Sequence, residues 1–267
     1  MVRTSDVTAA VEHLELTGRT VGVHVSLRSF GLVEGDAQAI VDGVLASSCT
    51  VVTPTYSRSI FEVAAPDEVG ASGPGSQKAT GPVFDTHSDA IDATVMGAVA
   101  AAVVRHPDRA RGRHPICSFS AVGPRAEWLV ETQSPSDAFA PMRRLAESNG
   151  WVVLMGVGLD RMSLLHVAEE RLGRPRFLRW ALGSDGEAFE VEVGGCSNGF
   201  GALAEHLRHL ERVVTVGSSV WRAFPARDTL DTATATLRAT PALTRCPDPS
   251  CQRCDVAIAG QTIRSRA

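Results

Sequence analysis

The sequence predicts an α/β fold, a single domain with a mixed, largely parallel central sheet flanked by helices. Three observations carry this expectation. Short β-branched runs alternate with amphipathic stretches along most of the chain. A strand, a helix and a strand follow one another over residues 20–53, the order of a right-handed parallel crossover. No internal repeat, low-complexity tract or clear linker divides the 267 residues, so 1–267 reads as one unit with a cysteine-rich tail at about 240–267.

The elements follow in order. Asp6–Leu16 has Val7, Val11 and Leu14 near helical spacing, after Thr4 or Ser5 as a cap. Thr20–Val25 is short and β-branched, a strand. Asp36 caps a helix through Ile40, Val41, Val44 and Leu45, and Thr50–Thr53 is a buried strand stopped by Pro54. Residues 57–88 show no period and hold many Gly and Pro, which reads as a long functional loop. Asp89–Arg105 resumes as a helix, and Ile116–Ala121 is a strand. Pro124–Val130 and Pro141–Ser148 are short helices, and the apolar run Trp151–Val157 is a central strand. Ser163–Leu172 is helical. Arg176–Leu182 and Ala188–Val193 flank Ser184-Asp185-Gly186 as a hairpin. Gly201–Leu210 is a helix, Val213–Val216 a strand and Ala226–Ala239 a last helix.

Composition excludes several classes of function. The chain is 44% hydrophobic and 21% charged, an ordinary globular balance. A net charge of −4 argues against nucleic acid as a partner. The longest apolar run, Val95–Val104, is broken by Gly97. A spanning helix needs about 20 residues, so no membrane association is expected. The start, Met1-Val2-Arg3-Thr4-Ser5-Asp6, turns polar at once, and a cytoplasmic protein is expected. In a reducing compartment the six cysteines are not expected to form disulfides.

Four segments could carry chemistry. Ser26-Leu27-Arg28-Ser29 follows the first strand, where open α/β sheets bind ligands. Ser118-Phe119-Ser120-Ala121 offers small side chains on a second short strand. Gly156-Val157-Gly158-Leu159-Asp160-Arg161 leads from a buried strand into a helix, on which Ser163, His166 and Glu169 share one face. A neutral imidazole near a carboxylate is a competent general base. Position 161 is Arg, so the turn is no dinucleotide fingerprint. In the tail, Cys246, Cys251 and Cys254 have metal-ligand spacing but supply three ligands, and Cys196 or a histidine could complete them.

Together these segments resemble the aminoglycoside 3-N-acetyltransferase family from His24 to about Phe224. The pieces stand in the family's order: His24-x-Ser26-Leu27, then Thr53-Pro54-Thr55-Tyr56, then His114-Pro115 before Ser118-Phe119-x-Ala121-x-Gly123. Gly156-Val157-Gly158-x-Asp160-Arg161 follows, leading to Leu165-His166-x-Ala168-Glu169. The resemblance implies a fold other than the common acetyltransferase fold, and transfer of acetyl from acetyl-CoA to the 3-amino group of a cationic aminoglycoside, an antibiotic resistance activity. It implies that His166 is the catalytic histidine and that Ser26–Ser29 and Ser118–Ala121 hold the CoA arm.

Direct transfer in a ternary complex then needs a base for the protonated amine, which is His166, and a carboxylate to fix its tautomer. Glu192 or Glu190 is favoured for that role, with Glu169 open. An oxyanion donor near Ser26 or Ser120 is worth ~2.7–4 kcal/mol. Asp160, Glu169, Tyr56 and Asp67 are expected to meet the substrate. A structural zinc at the terminal cysteines is a secondary expectation, and homodimer formation is left open. The alternatives are an N-acetyltransferase acting on another amine in biosynthesis, a non-enzymatic metal-binding module, and a metallohydrolase using His24, Asp160 and His166.

Overall fold

The computed structural model describes residues 1–66 and 80–259. Helix α1 (Thr4–His13) buries Val7, Ala10 and Val11, and β1 (Thr20–Val25) follows as expected. Alternation along β1 sorts its side chains. Val21 and Val23 join the core beneath α1, whereas Gly22 lies against Leu145 on the opposite face. Next come α2 (Asp36–Ala46) and β2 (Thr50–Pro54), which pairs parallel with β1. Asp36 opens α2 and Gly35, at φ 83°, occupies the cap position. The unperiodic stretch holds α3 (Arg58–Phe61) and the two-residue β3 (Glu62–Val63).

The helix expected over 89–105 is two pieces, α4 (Ala93–Met96) and α5 (Ala98–Arg105). Gly97 breaks them apart at φ 87°, a region that favours glycine. Then come β4 (Ala110–Arg111), β5 (Phe119–Val122), α6 (Ala126–Val130), α7 (Ala140–Glu147) and β6 (Trp151–Met155). They are followed by α8 (Leu164–Arg171) and the expected hairpin of β7 (Phe177–Leu182) and β8 (Ala188–Val193). The chain continues through α9 (Ala204–Leu207), β9 (Arg212–Val216), β10 (Ser219–Pro225), α10 (Ala226–Ala239) and α11 (Gln252–Ala259). No helix among the described residues is long and apolar enough to cross a membrane.

Seven strands form one sheet in the order β4-β5-β2-β1-β6-β10-β9, and β3-β7-β8 form a smaller one. The main sheet is mixed as expected but not largely parallel: its parallel pairings are confined to the centre, where β1 is parallel to β2 and to β6. The outer pairings are antiparallel. The reason is local. β9 turns through Gly217-Ser218 directly into β10, and a hairpin pairs only antiparallel. One face is covered by α1, α2 and α5, the other by α6, α7, α8 and α10.

The two helices that follow the N-terminus pack through Gly43, where an added Cβ would stand 2.5 Å from Val7 Cβ and 2.8 Å from the Thr4 carbonyl oxygen. Gly43→Leu is therefore expected to lower the unfolding free energy by ~3 kcal/mol, near the upper end of overpacking costs. Urea denaturation checks it. An unchanged midpoint would mean that α1 and α2 do not meet at this point.

Candidate active site

The carboxyl ends of β1, β2 and β6 open on a cleft of about 920 Å³. This is a topological switch point, because the chain leaves β1 to one side for β2 and returns on the other at β6. Ser26, Leu27 and Arg28 line it from the loop after β1, Tyr56 from beyond β2, and Asp160 and His166 from the segment after β6.

Helix α8 sets the base. Leu164, Leu165, Val167 and Ala168 are buried in the core and anchor the helix. His166 and Glu169, three residues apart, then share a face, and His166 Nδ1 lies 2.8 Å from Glu169 Oε2. Arg174 donates to the other oxygen, Glu169 Oε1, at 2.8 Å. It is itself held by Thr244 Oγ1 at 3.1 Å and the Pro241 carbonyl oxygen at 2.5 Å. Glu169 is only 8% exposed, and pairing of both oxygens is what allows a buried carboxylate to remain charged. The imidazole lies nearly parallel to Phe139, with centroids 4.9 Å apart, and edge-on to Phe200 at 4.9 Å. A carboxylate accepts hydrogen bonds, so Nδ1 carries the proton and Nε2 holds the free lone pair. Gly194 keeps that nitrogen accessible, since a Cβ there would stand 3.1 Å from it.

Several expected residues lie elsewhere or are committed elsewhere. Glu192 is ion-paired with Arg176, and the carboxylate bonded to His166 is that of Glu169. Glu190 sits on β8 opposite Trp180 in the smaller sheet. Glu169, expected on the substrate and left open as the histidine's partner, is the carboxylate on His166 and is closed off by burial. Ser118, Phe119, Ser120 and Ala121 are fully buried. Arg111 and Thr55 take the Ser118 hydroxyl, and Thr55 takes that of Ser120, so these residues build the sheet rather than line the cleft. The Ser29 hydroxyl donates to the Ser26 carbonyl oxygen and its oxygen lies 2.7 Å from the Ser219 hydroxyl, the first bond also being 2.7 Å. Asp160 borders the cleft and pairs with Arg161 at 3.1 Å. Tyr56 lines the cleft, and burial pushes its phenol above the usual range. Asp67 lies outside the described residues.

The sequence reading missed Arg174 and the aromatic pair. A basic residue just past the end of α8 was the available signal for the first. The aromatic pair, on separate elements, left none. Cys246, Cys251 and Cys254 are brought together with Cys196, and their sulfur atoms lie within 4.8 Å of one another. Among the described residues His24, Asp160 and His166 line the same cleft but do not converge as these four thiols do.

Two further histidines are buried. His24 lines the cleft with an unpartnered Nε2, and burial, helped by Arg161, pushes its pKa down to about 4. His114 is likewise pushed down to about 4 by burial. Its Nδ1 accepts from the Cys117 amide at 2.9 Å, and its Nε2 lies 2.6 Å from the Glu192 carbonyl oxygen, so a neutral ring is fully used.

A histidine beside a long cleft, its tautomer fixed by a buried carboxylate, has the arrangement that general-base chemistry requires. The sequence profile of aminoglycoside 3-N-acetyltransferases matches residues 23–238, and the chain belongs to that family. It is 33% identical over 165 residues to aminoglycoside N(3)-acetyltransferase VIII of Streptomyces fradiae, covering 59% of this chain and 57% of that one. It is 31% identical over 199 residues to aminoglycoside N(3)-acetyltransferase III of a Salmonella species, covering 68% and 66%. The matched region thus spans somewhat less than two thirds of these relatives. The fold is similar to that of aminoglycoside acetyltransferase AAC(3)-IVa, with TM-score 0.76 and 25% identity over 97% of this chain and 98% of that one. It also matches the YokD protein of Bacillus subtilis, with TM-score 0.76 and 23% identity over 90% and 95%.

The two buried histidines give the fold an acid limit. The unfolded chain protonates each near pH 6.5, the fold only near pH 4. Between these values the unfolded state binds more protons, so stability is complete above about 6.5 and falls as pH drops through the window, by ~3 kcal/mol per histidine. Denaturation from pH 7 to 4 checks this. His24→Gln should remove about half of the loss, and an unchanged slope would mean that His24 titrates normally.

Proposed function

We propose that this chain is an acetyl-CoA-dependent N-acetyltransferase that acetylates the 3-amino group of an aminoglycoside and so confers resistance, with His166 as general base. One observation carries the reading: the buried Arg174–Glu169–His166 chain ends at a histidine that lines the cleft and whose Nε2 is left without the carboxylate. The amine of such a drug is mostly protonated at neutral pH. His166 Nε2 takes its proton, and Glu169 stabilises the imidazolium that forms. The nitrogen then bonds to the acetyl carbon as the carbon–sulfur bond breaks; of the two protons that the ammonium loses, His166 passes one to the departing CoA thiolate and the other goes to solvent.

Acetyl-CoA supplies the activated acetyl group. Ser26–Arg28 fit its arm: they line the cleft at the end of β1, and Arg28 offers a guanidinium for phosphate oxygens. His24 Nε2, buried without a partner, leaves a hydrogen-bonding position for a bound molecule there. Asp160 offers a carboxylate to the cationic drug, and Tyr56 forms part of the wall. Complexes of similar enzymes with gentamicin and with apramycin support this substrate class. Such an enzyme works in the cytoplasm, where acetyl-CoA is made. The terminal cysteines take no part in the transfer, and a zinc bound there is structural.

Release of CoA thiol on mixing the protein, acetyl-CoA and an aminoglycoside tests the reading, and an inactive drug panel with an active panel of other amines would replace the substrate. His166→Ala is expected to lower kcat by ~10²–10⁴-fold while acetyl-CoA still binds. Near-native turnover would make the histidine structural. Glu169→Gln should lower kcat with little change in the KM for acetyl-CoA.

A further inference from the structure

We propose that Cys196, Cys246, Cys251 and Cys254 bind one tetrahedral Zn²⁺, and that this ion holds the C-terminal segment where it supports the buried chain behind His166. The inference deepens the structural-zinc reading above and rests on the site described there.

The four thiols come from two distant stretches. Cys196 follows β8, three residues beyond Val193. Cys246 lies in the loop after α10, and Cys251 and Cys254 bracket the first turn of α11. All six cysteines of the chain are free thiols, and these four have their sulfur atoms within 4.8 Å of one another. A tetrahedral Zn²⁺ with sulfur at about 2.3 Å needs sulfurs about 3.8 Å apart, so a small contraction completes the site. Cys251 and Cys254 have the Cys-x-x-Cys spacing that grips a metal from one turn. The Cys246 amide already donates to Cys254 Sγ at 3.4 Å, which ties the two cysteines together. Four thiolates and Zn²⁺ carry two negative charges, and Arg245 and Arg253 border the same small cavity as Cys196 and Cys254.

The backbone is built for this approach. Gly199 lies three residues after Cys196, and a Cβ there would stand 2.0 Å from the Thr244 carbonyl oxygen. Only glycine lets the two strands of chain meet so closely. Two residues before Cys246, Thr244 donates nothing to the metal but receives Arg174, whose other amine is held by Pro241. Arg174 in turn holds Glu169, and Glu169 holds His166. Glu169, Arg174, Thr244, Cys196 and Cys254 line one cavity. Among the described residues, the segment beyond α10 buries little apolar surface of its own, chiefly Val256 beside the cysteines. A metal therefore supplies the fixed point that its packing does not. Binding releases the thiol protons and leaves no open coordination position, so the ion is structural.

The test uses the full chain as purified without added metal. Metal analysis should give one zinc per chain, with four thiols that resist a thiol reagent until a strong chelator is added. Cobalt substitution should give the visible absorption of a tetrahedral thiolate site. Cys251→Ser should lose the metal and Cys251→His should retain it. On chelation, amide exchange should rise in 240–256 and also in 166–176, but not in β1 or β6. kcat should fall about tenfold or more with the KM for acetyl-CoA unchanged, and zinc should restore both. Zinc content near zero with four freely titratable thiols, or two disulfides, overturns the metal centre. Bound zinc whose removal leaves 166–176 unaltered overturns its link to His166. These readings need no turnover, whereas a zinc-loaded protein that releases no CoA thiol counts against the acetyltransferase reading alone.

Discussion

A carboxylate buried at the level of Glu169 stays ionised only if both of its oxygens are engaged, and much of the site follows from that demand. One oxygen takes the His166 imidazole and so fixes the tautomer of the ring. The other takes Arg174, a second buried charge that needs partners of its own and finds them at Thr244 and Pro241. The demand is thus passed from α8 to the last part of the chain. A segment remote in sequence becomes part of the support of the histidine.

The sheet supplies the other half of the site. Parallel pairing is limited to β2, β1 and β6, and the cleft lies beyond the carboxyl ends of those three strands. The antiparallel strands on either side extend the sheet and bury its centre without adding switch points. The segment that follows α3 is tied back by Arg111, which donates to the carbonyl oxygens of Ser88 and Ala90 and lies over the Phe84 ring. Burial lowers the pKa of that guanidinium to about 10, a cost offset by its many acceptors.

Where local chemistry was strong, the elements were legible. β1, the β7–β8 hairpin and α10 occupy the residues their patterns indicated. Two errors have local causes. Gly97 sits inside an apolar helical run, and its positive φ divides the helix. β10 was overlooked because Ser219-Val220-Trp221-Arg222-Ala223-Phe224 follows a strand after only Gly217-Ser218, a short hairpin turn. The histidine itself was legible through its place on α8, and its likeness to the family strengthened the reading. Its partner was misjudged, because Glu192 and Glu190 lie on a strand whose pairing decides where their side chains go. Glu192 went to Arg176.

The sequence by itself determined the periodicities, the class of fold, the family and the residue able to act as a base. These depend on neighbours within one turn of helix or one strand, where spacing fixes geometry. Tertiary structure decided which carboxylate meets His166, that Ser118–Ala121 are buried in the sheet, and that Cys196 joins three cysteines fifty or more residues later. Those outcomes rest on contacts between distant segments. A chain sets such contacts by packing and by satisfying buried charge, and no spacing along the sequence encodes them.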